Sequence, residues 1–285
     1  MLSTTNGSGH SQSDFNVVVG MMQRDEDTRL EAWILYHSYH FGFDSLHIFD
    51  NGSKSPHVLS ILKKYQGLGV HVDYSQASAV NYTAKGDLIA NLFNLMEQDP
   101  RNRFFIPLDC DEFITVRKSD GELTGDSAEL SAYLRTLLQD PHILIARDAN
   151  ANILGHPGHF FPSYDHHKVF FTEGCCSWMS EGFHTAHSRK SDVERLTDVV
   201  YLHFHYRPYR EMVTHSRRKL EHLVDVTDPE KLREYKGTAN HVSRYLSMAD
   251  REYDNGFHPE TGFHVPWLVP LLSKLGVSAE FFDSI

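Results

Sequence analysis

The chain has 285 residues, 40% of them hydrophobic, enough for one large core or two small ones. Its 27 basic and 38 acidic side chains leave a net charge of -11, which excludes a general nucleic-acid coat but not a local basic pocket for phosphates. No apolar run approaches the about 18 residues of a membrane span, and Cys110, Cys175 and Cys176 have neither metal-knuckle spacing nor a disulfide framework, an intracellular pattern.

Residues 1–14 are rich in Ser, Thr, Gly, Asn and His and lack the charged and apolar regions of a signal peptide, so they read as a disordered tail. The short β-branched run at 15–20 predicts a first strand. Residues 28–40 carry apolar side chains at helical period, with Thr28 and Glu31 spaced as a capping box and Gly42 as the stop. Strands are predicted at 45–49, 69–73 and 104–108, and helices at 58–65 and 82–98. Strand and helix therefore alternate through the first half, which predicts a mostly parallel sheet with helices on both faces. A helix at 127–139 and strands at 142–146, 168–172 and 199–205 follow, with a loop at 150–162 and a long basic helix at 209–224. The remainder, 226–285, reads as a helical extension with irregular loops.

The chain is organised around Arg103-Phe-Phe-Ile-Pro-Leu-Asp-Cys-Asp-Glu-Phe113. Asp109 and Asp111 are spaced i, i+2 at the end of an apolar run, which puts both carboxylates on one side of the chain. Paired carboxylates suit Mg²⁺ or Mn²⁺, hard ions that complete their shell with waters and phosphate oxygens. Cys110 between them reads as packing, because such ions prefer oxygen to thiolate. Ligands of open parallel sheets bind at the carboxyl ends of the strands, and Asp50, Asp73, Asp109 and Asp111 all fall at or just after such ends. Lys85, early in the third helix, is a candidate nucleotide contact near that edge, against the plain reading of a solvent-facing lysine. Arg210, Arg217, Arg218 and Lys219 read as a solvated helix face, with phosphate contact as the minority reading. His37 and His40 read as packing residues.

Glu31-Ala-Trp-Ile-Leu-Tyr-His37, Gly42-Phe-Asp-Ser-Leu-His-Ile-Phe-Asp-Asn-Gly-Ser53, Leu108-Asp-Cys-Asp-Glu-Phe113 and His203-Phe-His-Tyr-Arg207 together resemble the GT-A fold glycosyltransferases, specifically the family-two-like group related to family ninety-two. The resemblance spans roughly residues 16–220. It implies a GT-A domain over 15–225 and a metal-dependent transfer of a sugar, hexosyltransferase-like, from a nucleotide-sugar donor (UDP- or GDP-linked) to a saccharide or lipid-linked hydroxyl. It also implies a cytoplasmic protein, with a peripheral position at the inner face of the membrane left open. Asp50 is implied at the nucleoside, Asp109 and Asp111 at Mn²⁺ or Mg²⁺, and His205, or else His203, as a late metal or phosphate ligand. His205 ranks first because it directly precedes Tyr206-Arg207. Where the family carries Lys-Asn-Glu or Arg-Asn-Glu after the first strand, this chain has Gln23-Arg24-Asp25-Glu26, so Gln23 is the nucleotide-side candidate there.

Such a transfer needs a base for the acceptor hydroxyl. The candidates after the metal motif are Glu181, Asp192, Asp165 and Glu173, with Glu181 first. A nucleotidyltransferase could use the same paired acids, but the first loop, Met21-Met-Gln-Arg24, lacks the glycines such an enzyme carries. A non-catalytic sugar-nucleotide-binding protein would be expected to have lost the acids, and they are present.

Overall fold

Three consecutive valines open the first strand, and their side chains divide between two layers. The computed structural model describes residues 15–162, 167–237 and 239–285; the expected tail at 1–14 and the candidate Asp165 lie outside them. The first half runs β1 (Asn16–Gln23), α1 (Leu30–Phe41), β2 (Leu46–Asp50), α2 (Pro56–Gln66), β3 (His71–Asp73), α3 (Ala79–Thr83), α4 (Lys85–Met96) and β4 (Asn102–Pro107). Val17, Val19 and Met21 of β1 enter one core with α1 and α2, while Val18 and Met22 enter another with α4. That is the period-two alternation of a strand covered on both faces. Gly20 lets α4 approach: a Cβ there would lie 2.9 Å from the Ile89 side chain.

The second half adds β5 (Glu112–Arg117), β6 (Leu123–Thr124), α5 (Ser127–Arg135), β7 (Ile143–Ile145), β8 (Asp148–Ala151), β9 (His159–Phe160), β10 (Val169–Thr172), β11 (Cys176–Met179), β12 (Ala186–Ser188), β13 (Glu194–Leu196), β14 (Val199–His203) and α6 (Tyr209–Leu220). The central sheet has the order β13-β7-β10-β4-β1-β2-β3. Its β3-β2-β1-β4 part is parallel, and β10 runs antiparallel to both β4 and β7. A second sheet has the order β6-β5-β14-β8. The protein is thus a mixed α/β structure around a large, mostly parallel sheet. Among the described residues no helix is long and apolar enough to cross a membrane.

Local expectations met different ends. Gly42 closes α1 at φ 87°, a conformation glycine reaches without steric cost. The capping box does not form. The cap position is Arg29, without a side-chain cap bond, and Glu31 turns outward to Lys64 (2.7 Å) and the Tyr65 hydroxyl (2.8 Å) on α2. Pro107 sits in a central strand, at its last residue. β10 pairs only with Phe104 and Phe105, so the missing N–H falls beyond that ladder. The expected loop at 150–162 contains the end of β8 and all of β9. Residues 226–285 are helical in part, and their end joins the main core through Val265, Leu268, Leu272, Phe281 and Ile285.

Candidate functional site

The site begins where β4 runs out. Leu108 donates to the Gly20 carbonyl at 3.0 Å, and the chain then turns through Asp109-Cys110-Asp111 into β5. Glu112, fully buried, closes that turn: its backbone N–H reaches the Asp109 carbonyl at 3.1 Å, and its carboxylate accepts the Asp109 N–H at 2.9 Å. Cys110 packs into the main core.

Two ladders then bring distant residues to the turn. Phe171 of β10 faces Phe105 of β4, so three residues back along β10 Lys168 faces Leu108. The Lys168 ammonium lies 2.9 Å from Asp109 and 2.8 Å from Glu112. Lys85, the first residue of α4, reaches the other Asp109 oxygen at 2.5 Å. In the second sheet His203 of β14 faces Glu112 of β5, and Phe204 N–H donates to the Asp111 carbonyl at 2.7 Å. His203 Nε2 is thereby 3.4 Å from Asp111 Oδ1, and Arg207 is 3.6 Å from Oδ2. Arg207 also meets Glu26 at 2.8 Å, and His215 lies 3.4 Å from the same carboxylate. Arg29, fully buried, fixes the exit of β14 by donating to the Phe204 and Tyr206 carbonyls, each at 3.0 Å.

These charges tune one another. Burial alone would raise the Asp109 carboxyl, but the Lys168 and Lys85 ammoniums hold it far below the usual carboxylate range. Burial opposes the charge on Lys168 too, and Asp109 and Glu112 override it, so the ammonium is held more firmly protonated than usual. Asp111 is likewise pulled down against its burial, by His203 and then Arg207. Against its own burial His203 is raised by Asp111, whereas His205 is pushed well below its ordinary value by burial and by the His203 charge.

A cavity of about 850 Å³ opens at this edge of the sheet. Gln23, Lys85, Asp109, Asp111, Glu181, His203 and His205 all line it. Asp50 does not: it is buried, accepting from Gln23 Nε2 at 2.6 Å and from the Ser53 N–H and hydroxyl at 3.1 and 2.5 Å, so it holds the Asp-Asn-Gly-Ser turn together. Its neighbour Asn51 faces the cavity instead. Asp73 lines a separate groove with His47 and His71, and binds the Ser75 N–H at 2.7 Å. Asp192 is 66% exposed and serves the Ser188 N–H at 2.7 Å, away from the cavity lining. Glu173 pairs with Arg103 at 2.6 Å, also outside the lining. His205 lies in the cavity wall, but its Nε2 is 3.3 Å from the Tyr245 hydroxyl, so His203 is the imidazole on Asp111.

The basic helix is not uniformly solvated. Arg210 and Arg217 are exposed, while Arg218 and Lys219 line the cavity. His215, Arg218, Lys219 and His222 recur at i, i+3, i+4, i+7, a helical stripe readable in the sequence. Lys168 and Glu26 carried no comparable signal, because strand pairing and loop packing place them. Arg207, the last residue of the His-Tyr-Arg segment, joins the site beside the histidines. Among the described residues no hydrogen bond or ion pair engages the Lys219 ammonium, and no ion pair engages Glu181, which has the Tyr235 phenol near it. His37 is a packing residue as expected, with Nδ1 2.8 Å from the Trp33 carbonyl.

The residues fit a hard divalent ion in one place. Adjacent ligands of an octahedral ion with bonds of about 2.1 Å lie about 3 Å apart, close to the 3.4 Å between Asp111 Oδ1 and His203 Nε2. Both Asp109 oxygens are engaged by ammoniums. Among the described residues no group of three or more His, Cys, Asp or Glu side chains converges, so such an ion would take phosphate oxygens and water for the rest of its shell. Compared with models of known protein families and with curated protein sequences, the chain matches none.

Proposed function

We propose that this protein is a glycosyltransferase of GT-A type that moves a sugar from a nucleoside diphosphate donor, UDP- or GDP-linked, to a saccharide or lipid-linked hydroxyl. One observation carries the reading. One cavity at the strand ends is lined by Lys219, whose ammonium has no hydrogen bond or ion pair among the described residues, by Glu181, which has no ion pair among them, and by the Asp111–His203 pair. Donor phosphates need cations, an acceptor hydroxyl needs a base, and the cavity supplies both.

Lys219 and Arg218 receive the diphosphate. Asp111 and His203 would hold Mn²⁺ or Mg²⁺, and such an ion, when bound, stabilises negative charge on the departing diphosphate. Glu181 takes the proton from the acceptor hydroxyl as its oxygen bonds to the anomeric carbon and the sugar–phosphate bond breaks. Glu26, through Arg207, steadies Asp111 from behind. Asn51 and Gln23 stand on the sheet side for the nucleoside.

A panel of nucleotide sugars, screened for protection against thermal unfolding with and without Mn²⁺, tests the proposal. One donor should stand out, and at about 100 times its Kd it should add about 2.7 kcal/mol of stability. Equal melting temperatures across the panel would contradict it.

A further inference from the structure

Lys85 and Lys168 converge on one carboxylate from opposite sides. They are 5% and 4% exposed, and they take one Asp109 oxygen each, at 2.5 and 2.9 Å. Lys168 adds Glu112 at 2.8 Å. Two ammoniums and two carboxylates thus make a neutral quartet in which Lys85, Lys168 and Glu112 are buried and Asp109 is half-buried in the cavity wall. The Phe183 ring closes it, its centroid 4.5 Å from one ammonium and 5.4 Å from the other. Phe183 is fully buried at φ 58°, in the left-handed region that non-glycine residues rarely occupy. A backbone held there needs surrounding structure that over-determines it, as happens at functional sites. Gly86 belongs to the same arrangement: a Cβ would fall 2.1 Å from the Met179 carbonyl, so only glycine lets the start of α4 meet the turn that carries Glu181.

An ion that reached for Asp109 would break an ion pair and strand a buried ammonium without its carboxylate. We propose that Lys85 and Lys168 are a lock on Asp109: they hold it off the divalent ion and thereby keep ion binding weak until the nucleotide arrives. The inference rests on the ion site at Asp111 and His203, and it makes the two lysines positioning residues for that site. With Asp109 locked, the protein offers one carboxylate and one imidazole. The ion's shell is completed by the phosphates of the nucleotide, so ion and nucleotide enter together.

Among the described residues Lys85 pairs with no carboxylate other than Asp109, so its removal is the cleanest test. Mn²⁺ affinity of the nucleotide-free protein, read by electron paramagnetic resonance of the free ion, should tighten about tenfold in Lys85→Met as a second carboxylate joins. It should return to the wild-type value in the charge-balanced Lys85→Met/Asp109→Asn variant, and Lys85→Arg and Asp109→Asn should both stay near wild type. Melting curves identify variants that fold; the charge-balanced variant and Asp109→Asn carry the test if Lys85→Met does not. Unchanged or weaker Mn²⁺ binding in folded Lys85→Met overturns the lock, and so does an Asp109→Asn loss as large as that of Asp111→Asn. Titration of the same proteins with UDP and GDP separates the two ideas. The Mn²⁺ pattern without nucleotide binding defeats glycosyl transfer and keeps the lock. Nucleotide binding without the Lys85→Met gain defeats the lock and keeps glycosyl transfer.

Discussion

The two sides of the cavity are built on different terms. On the sheet side Gln23, Asn51 and Asp109 are already engaged. Gln23 bonds Asp50 and Ser53, Asn51 bonds the Gln76 and Ser78 carbonyls at 2.6 and 2.8 Å, and Asp109 holds two lysines. On the other side α6 packs Met212 and Leu220 into a small separate core with Leu232, Val242, Tyr245 and Tyr253. From there it presents Lys219, and the turn between β11 and β12 presents Glu181, the first without a hydrogen bond or ion pair and the second without an ion pair among the described residues. Groups that are already paired change little when a ligand binds, so they supply shape. Groups left unpaired beside a cavity gain most from a ligand that pairs them, so they supply recognition and chemistry.

That division is broken most severely at Glu181. Glu181→Gln should lower the transfer rate by about 10²–10⁴-fold while leaving nucleoside diphosphate affinity unchanged, as expected for loss of a general base. A single-turnover rate near wild type would remove the base from this side of the cavity. Next comes the Asp111–His203 pair. Either Asp111→Asn or His203→Ala should raise the Mn²⁺ concentration needed for half-maximal nucleotide binding by about 10–100-fold, while His205→Ala, whose imidazole faces Tyr245, should move it far less. A larger loss at His205 than at His203 would restore the order read from the sequence.

Which of the two histidines lies beside Asp111 is set by packing that the sequence does not show. His203 and His205 do share a side, with ring centroids 5.3 Å apart and Phe204 buried opposite, as alternation requires. Which of them meets Asp111 depends on the register of β14 against β5, a pairing across about ninety residues that no local pattern encodes. The first half was legible because its strands and helices announce themselves by period, and because a parallel sheet sends every strand end to one edge. Even there, Asp50 and Asp73 do end their strands as expected, but a strand end alone does not decide which acids line the cavity. Asp50 is consumed by its own turn, and Asp73 ends an edge strand three places from β4 and faces another groove. Lys168 was hidden for the same reason as the histidine order, since only the β10–β4 register brings it to Asp109. Lys219 was visible in the helical stripe, but the charge run as a whole favoured solvent.

Lys219 sharpens the contrast within one helix. Lys219→Ala should weaken nucleoside diphosphate binding about tenfold, or about 1.4 kcal/mol, whereas Arg217→Ala, exposed two residues earlier, should change nothing. Equal losses at both positions in calorimetry would mean that the helix acts only through its overall charge.

The smallest effect concerns the scaffold beneath the sheet side. Burial pushes the His37, His40 and His47 imidazoles down to about 3, so they are neutral when folded and take up protons only on unfolding. The unfolded chain therefore binds more protons as pH falls below about 6.5, and stability should drop by about 1 kcal/mol per imidazole between pH 6.5 and 5.5. Urea midpoints measured at those two values should differ less in His47→Leu than in the wild type; identical differences would show that the imidazole is already charged in the fold.

The central claim is that the cavity takes a nucleoside diphosphate between the Asp111–His203 pair and Lys219. Calorimetric titration of the wild type with UDP and with GDP, in Mn²⁺ and in EDTA, tests it most directly. One nucleotide should bind one-to-one, more tightly with Mn²⁺, and the gain from Mn²⁺ should vanish in Asp111→Asn. Absence of binding by either nucleotide, or a gain from Mn²⁺ that survives Asp111→Asn, would contradict it.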